Sequence, residues 1–413
     1  MKIALNMTGC KNNRYELDQI LRWAIQNKVP VVKESEADFA VINTCTVTSV
    51  ADKKSRQLIR RTKNRHPGLQ TIVFGCAARM QKEALKKITE VDVLLSDINE
   101  VIKYLESQLG KTGQCGNVNL IESAQDLSRC RALVQIQDGC DSYCSYCIIA
   151  AARGKSKNRP QKEIIAEING AVAQGFNEVV LTGINIGAYG ASVTTQPEEN
   201  KFAELVQEIF KKTKIKKLRA GSLGPEFFNK KWYEVIKNPR FSRHVHLSIQ
   251  SGSDAVLERM RRNYKVKDIL KIIRKLRQIS PDMAITTDII VGFPGETEAE
   301  FKETLKFVKQ NKLAKVHVFP YSERENTLAA KMEQVPVKIR RERADKLQKI
   351  ADQCRREFID NQLGKEVQVL WEHSRKAGWS KGVTDNYIRV HIKKSRQPKS
   401  ISSERLTREI INL

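Results

Sequence analysis

ALVQIQDGCDSYCSYC, residues 132–147, joins a strand-like apolar run directly to three cysteines, Cys140, Cys144 and Cys147, in a CxxxCxxC spacing. A 4Fe-4S cube takes four ligands, and ferredoxin-type segments supply a full set of thiolates. No fourth cysteine follows within this motif, so the spacing predicts an iron–sulfur cluster with one iron open to another ligand. Three close cysteines also suit zinc with a fourth ligand elsewhere, or simple burial as thiols. Zinc ribbons favour a second CxxC knuckle, and none is present.

Working outward, strand and helix alternate from Leu133 onward. Strand runs EVVLTGIN (178–185), KKLRAGSL (216–223), HVHLSIQS (244–251), AITTDIIVGF (284–293) and KVHVFPYS (315–322) follow the first, separated by helical stretches such as VKDILKIIRKLRQI. Six β-α units fit a partial (β/α)6 barrel, with the chemistry at the carboxyl ends of its strands. The cysteine loop falls there, just after the first strand. This domain is read as 126–358.

The first hundred or so residues alternate in the same way: KIALNM, DFAVINTC, TIVFGCAA and DVLLS, with helical stretches between them. Such alternation implies a parallel sheet with helices over its faces. Cys10, Cys45 and Cys76 each fall just beyond a successive strand, on the sheet edge where loops converge on a ligand. Each alone reads as a small buried hydrophobe; the repetition over three strand ends predicts a second metal site. Cys115, Cys130 and Cys354 show no such arrangement and are read as non-functional. This domain is placed at 1–115, with a polar linker from about Gly110 to Ser128.

A charged helical stretch from about Val337 to Asn361 leads to a tail, 360–413, of short alternating strands consistent with a small all-β barrel. Residues 361–413 carry eleven Lys or Arg against five Asp or Glu. Trp371, Trp379 and Tyr387 are candidates to stack on bases, with one or two of them suited to the core instead. The whole chain of 413 residues holds 73 Lys and Arg against 47 Asp and Glu, a formal charge of +26. That excess favours a polyanionic partner, RNA first, over a merely solvated basic surface. No apolar run approaches the roughly 18 residues that span a bilayer, so no membrane partner is anticipated. MKIALNMTGC superficially looks like a lipoprotein signal, but its apolar stretch, Ile3 to Leu5, is too short. Nine cysteines without an export signal suit a reducing cytoplasm.

A three-cysteine N-terminal domain, a CxxxCxxC barrel and a small basic β-tail together resemble the radical S-adenosylmethionine (SAM) methylthiotransferases with their TRAM-type tail, over nearly the whole chain. TGCKNNRYELDQ, VINTCTVTSVADKKSRQ and LTGINIGAYG look most like the branch acting on N6-threonylcarbamoyladenosine next to the tRNA anticodon. The resemblance implies that Cys140, Cys144 and Cys147 hold the SAM-cleaving 4Fe-4S cluster, whose open iron chelates SAM. An electron from it splits the sulfonium into methionine and a 5′-deoxyadenosyl radical. Cys10, Cys45 and Cys76 would hold an auxiliary 4Fe-4S cluster that presents or donates sulfur. Gly183 with Asn185 match where the family places the methionine moiety of SAM, Gln250 and the GFPGET turn from Gly292 match the edges of the SAM pocket, and Tyr143 and Tyr146 are candidates to pack around the cluster and keep it dry.

The activity implied is insertion of a methylthio group at carbon 2 of the adenine. A flavodoxin- or ferredoxin-type reductant and a sulfur donor are the further partners implied. Alternatives are the same chemistry on isopentenyladenosine or on a ribosomal-protein aspartate, or a non-catalytic iron–sulfur RNA-binding protein. The chain departs from the family at Ala150, where CIIAAARG replaces the common CIIP, and at Asn12 and Asn13 after the first cysteine.

Overall fold

A computed structural model describes residues 1–109, 130–190, 201–374 and 376–411; Cys115 and the anticipated linker lie outside them. The described chain forms two units. The first takes the N-terminal residues together with Cys147–Gly154, and the second takes the rest.

In the first unit, β1 (Ile3–Met7), β2 (Phe39–Thr44), β3 (Gln70–Gly75) and β4 (Val93–Leu94) make a parallel sheet in the order β1-β2-β3-β4. The connections are α1 (Lys11–Gln26), α2 (Ser49–Arg65), and the short α3 (Cys76–Met80) and α4 (Lys82–Lys86), with α5 (Ile98–Gln108) following β4. Strand alternation sends Phe39, Val41, Ile72 and Phe74 into a core with α1 and α5. Ala40, Ile42 and Val73 enter a second core on the other face with Ile59 of α2. Both faces are therefore covered, which is why β2 reads as an unbroken apolar run. Side-chain caps start two helices: Thr48 Oγ1 accepts from the Ala51 amide at 3.1 Å, and Asp97 Oδ1 from those of Asn99 and Glu100.

The second unit begins with β5 (Arg131–Gln135) and the small antiparallel pair β6 (Gln137–Asp138) and β7 (Lys157–Asn158), between which the chain passes through α6 (Ile149–Arg153) of the first unit. Then come α7 (Gln161–Ala173), β8 (Glu178–Thr182), α8 (Phe202–Lys212), β9 (Lys217–Ala220), β10 (Ser222–Leu223) and α9 (Lys230–Lys237). β11 (His244–Gln250), α10 (Asp254–Arg259), α11 (Val266–Ile279), β12 (Ala284–Val291), α12 (Glu298–Asn311), β13 (Lys315–Pro320) and α13 (Val337–Asp360) complete the alternation. The strands are parallel, in the orders β5-β8-β9 and β10-β11-β12-β13. Only Gly221 separates β9 from β10, so the anticipated run KKLRAGSL is one strand broken at that residue.

On β11, Val245, Leu247 and Ile249 join the core under the helices, while His246, Ser248 and Gln250 alternate onto the inner face and stay partly exposed. The tail adds β14 (Glu366–Glu372), β15 (Ser380–Thr384), β16 (Arg389–Ile392) and β17 (Ile401–Arg405), a four-stranded antiparallel sheet in the order β16-β15-β14-β17.

The tail docks on the strand-start end of the barrel. Asp385 takes two hydrogen bonds from Arg243, at 2.9 and 3.0 Å. Tyr387, just after β15 and with φ of 68°, stacks on His244 with ring centroids 4.2 Å apart and lies under Arg219. Trp371 is fully buried in the tail core, its indole N–H on Ser402 Oγ at 2.8 Å. Of the three aromatics nominated for stacking on RNA, two are therefore occupied inside the protein. Trp379 remains half-buried, with Lys376 over its ring. No helix among the described residues is long and apolar enough to cross a membrane.

Candidate functional site

In the first unit, Cys10 immediately precedes α1, Cys45 follows β2 and Cys76 opens α3 directly after β3. Two glycines allow this convergence. Gly9 has φ of +107°, and a Cβ there would lie 2.7 Å from Cys45 Cβ and 3.1 Å from its sulfur. Gly75, with φ of +102°, leaves no room for a side chain against Asn43 and the Thr44 backbone.

The three thiols act on one another. Burial pushes the Cys45 pKa up to about 11, with Cys10 and Cys76 adding to the rise against a backbone hydrogen bond and Arg153. Burial raises Cys76 too, and Arg153 opposes it by charge and by a hydrogen bond. Metal coordination is what makes such thiols give up their protons.

A buried polar frame holds them. Asn13 accepts from Cys10 Sγ at 3.1 Å and donates to Asn43 Oδ1 and Thr44 O at 2.7 and 3.0 Å. Asn43 reaches Glu16 at 2.7 Å, and Glu16 pairs with Arg153 at 3.0 Å. Ser55 Oγ bridges the Cys45 amide and carbonyl. Asn43, Glu16, Ser55 and Arg153 escaped the sequence reading, and Asn13 entered it only as a departure from the family pattern. The available signal was an asparagine pair placed where a helix begins, right after a cysteine.

A single tetrahedral zinc with Zn–S of about 2.3 Å would draw its sulfurs to about 3.8 Å apart. Among the described residues, the one trio of His, Cys, Asp or Glu with all ligand atoms within 4.8 Å lies elsewhere. Cys10, Cys45 and Cys76 are therefore not closed to the spacing of a single zinc. Their sulfur-only donor set fits an iron–sulfur cluster.

In the second unit, Gln137 shapes the cysteine loop. Its Nε2 donates to the carbonyls of Asp138 and Gly139 and to Ser156 Oγ, between 2.7 and 2.9 Å. Its Oε1 accepts from the amides of Ile184 and Asn185 at 3.1 and 2.8 Å. One buried glutamine thereby ties the loop to the end of β8, where Gly183 packs so closely that a Cβ would meet the Gln137 carbonyl at 2.8 Å. Asn185 Nδ2 donates to Ser142 Oγ at 3.3 Å and lies 4.0 Å from Cys140 Sγ.

Cys144 accepts from Arg262 Nη1 at 3.2 Å, and Arg262 also holds Tyr264 Oη at 2.7 Å and faces Glu226. Burial works against this cation, but its anionic and phenolic neighbours hold its pKa well above the ordinary value. Ser145 is anchored to the Arg259 carbonyl at 2.7 Å. Tyr146 packs edge-on against Phe293 of the GFPGET turn, in an apolar cluster with Tyr321 and Met260, whereas Tyr143 is 57% exposed.

Gln250 ends β11 with φ of 75°. The Gly292 amide donates to the buried Glu296 carboxylate at 2.6 Å, and Arg343 pairs with Glu296 at 2.7 Å. Cys147, three residues past Cys144, opens the segment belonging to the first unit, and its sulfur accepts from the Ile149 amide at 3.5 Å. Cys130 and Cys354 are buried, and Cys354 Sγ donates to the Val308 carbonyl at 3.7 Å.

Family models match twice: the Radical SAM superfamily over residues 134–308 and Uncharacterized protein family UPF0004 over residues 2–96. The threonylcarbamoyladenosine tRNA methylthiotransferase MtaB of Bacillus subtilis is 35% identical over 412 residues, covering 95% of this chain and 90% of the relative. Its Thermotoga maritima namesake is 34% identical over 405 residues, with the same coverages. A tRNA-2-methylthio-N(6)-dimethylallyladenosine synthase of Streptomyces viridosporus is 33% identical over 380 residues, covering 88% of this chain and 75% of that one. Among solved structures, the radical S-adenosylmethionine methyltransferase TsrM of Kitasatospora setae superposes with a TM-score of 0.53 at 12% identity, over 78% of this chain and 77% of TsrM; it shares the fold. By sequence over nearly its full length, the chain belongs to the radical SAM methylthiotransferase family.

Proposed function

We propose that this chain inserts a methylthio group at carbon 2 of N6-threonylcarbamoyladenosine beside the tRNA anticodon. The convergence of Cys10, Cys45 and Cys76 on one sheet edge, in a chain that also has the CxxxCxxC loop, carries the reading. A binding protein has no need of two sulfur triads.

SAM and two 4Fe-4S clusters, when bound, supply the one-electron chemistry that removes hydrogen from a carbon acids and bases cannot ionise. Cys140, Cys144 and Cys147 are the ligands of one cluster, and Cys10, Cys45 and Cys76 of the other. Gln137 fixes the loop of the first against the β8 end, so that Gly183 and Asn185 flank it. Arg262 places a buried positive charge on Cys144. Gln250 and Gly292 edge the SAM pocket, and the cluster of Tyr146, Phe293 and Tyr321 keeps water from one side of it. Asn13, Asn43 and Arg153 hold the second triad.

Residues 1–115 form the sulfur-donating domain, 126–358 the radical SAM domain and 360–413 a TRAM-like RNA-binding tail. The basic surface takes the tRNA phosphates, and a reductant protein and a sulfur donor serve the clusters. A tRNA substrate and free thiols suit the cytoplasm.

Mass spectrometry of tRNA nucleosides from cells with and without the gene tests substrate and reaction together. Loss of the methylthio derivative of threonylcarbamoyladenosine is the expected result. Loss of the dimethylallyl derivative instead would reassign the substrate, and an unchanged profile would refute the reading.

A further inference from the structure

On the inner face of the barrel three side chains that the cysteine sets do not use converge. His246 of β11, Asp288 of β12 and His317 of β13 each offer one ligand atom, and these atoms all lie within 4.8 Å of one another. The register produces this meeting. Asp288 is the direct partner of His317, and His246 that of Thr286, two residues before Asp288 on the same face.

The first histidine is aimed. Thr286 Oγ1 sits 2.9 Å from His246 Nδ1 and 2.9 Å from His244 Nε2, so one hydroxyl bridges two rings. With Nδ1 held there, His246 Nε2 faces Asp288 Oδ2 at 3.2 Å. A ligand histidine whose second nitrogen is fixed by an outer partner is how proteins orient metal sites. All three residues are partly exposed, so an ion and water can enter.

We propose that His246, Asp288 and His317 bind a transition-metal dication. Two imidazoles and one carboxylate suit zinc or ferrous iron over magnesium or calcium, and three protein ligands leave a position for an oxygen ligand such as water. Lys315 and Arg355 also act electrostatically on His317 and oppose a dication. Asp288 is the one anionic ligand among the three, so binding depends on its charge. The plain alternative is a histidine–aspartate ion pair that needs no metal.

Zinc is the probe. The full chain is first loaded anaerobically with iron and sulfide, so that the cysteines are occupied. It is then given zinc, desalted, and examined for retained zinc and by X-ray absorption at the zinc edge. The expected result is one zinc per chain, with a nitrogen and oxygen shell at about 2.0–2.1 Å and no sulfur at about 2.3 Å. Asp288→Asn and His317→Gln should each weaken zinc binding at least tenfold in competition with a chromophoric chelator, with iron content and circular dichroism unchanged. No retained zinc, a sulfur shell, or full retention by the Asp288→Asn chain would overturn the assignment.

Discussion

Arg262 Nη1 donates a hydrogen bond to the sulfur of Cys144 at 3.2 Å. Hydrogen bonds and net charge at the sulfurs set the potential of an iron–sulfur cluster, and a cation there favours the reduced, more negative form. Arg262→Gln should therefore lower the midpoint potential. A charged hydrogen bond of about 1.5–3 kcal/mol, fully directed at the reduced form, corresponds to about 65–130 mV at roughly 59 mV per tenfold. An EPR-monitored redox titration in a Cys45→Ala background, without SAM, reads it. An unchanged potential with weakened SAM binding would assign Arg262 to the cofactor rather than the cluster.

The two triads should separate genetically. Cys144→Ala is expected to abolish 5′-deoxyadenosine formation, while Cys45→Ala should keep it and stop methylthio transfer. Equal loss of both products in the two variants would falsify the division of labour.

Gly9→Ala tests the convergence of the first triad. The new methyl meets Cys45 at 2.7 Å on a backbone of positive φ, so the Cys10 and Cys45 loops must part. Iron per chain should fall by about half after reconstitution, with SAM cleavage retained. Full iron loading would show that the loops tolerate the shift.

The tail aromatics should diverge. Trp371→Ala removes a fully buried side chain and should cost about 3–5 kcal/mol of stability, seen as a lowered thermal midpoint. Trp379→Ala should leave that midpoint nearly alone and weaken tRNA binding about 5- to 150-fold, the worth of about one stacked base. Binding itself should fall roughly a thousandfold between about 50 and 200 mM salt if about six phosphates are contacted.

The strands that end beside Cys10, Cys45, Cys76 and Cys140 were readable in the sequence, because parallel strands with covered faces are continuous apolar runs. What surrounds the sulfurs was not. Gln137 sits in a strand-end stretch where its amide serves two loops distant in sequence, and no spacing announces that. Arg153 and Glu16 meet across 137 positions. Asn12 and Asn13 were visible only as departures from a family pattern, whereas Asn13 proved to be the hinge pin between Cys10 and the end of β2. The tail aromatics follow the expectation that one or two of them serve the core: a small sheet must fill its own interior first, and Trp371 does so. Tyr387 is spent on the barrel, an outcome fixed by a turn conformation that sequence leaves open.

That turn sets a distance. With Tyr387 wedged beneath His244, the tail is anchored at the opposite end of β11 from Gln250, and a strand of seven residues spans roughly 20 Å. RNA held by the tail, as proposed, would have to cross that length to present a base at the far rim. On the proposed function, the anchored tail would work as a caliper, matching a substrate by the span between its gripped backbone and its target nucleoside.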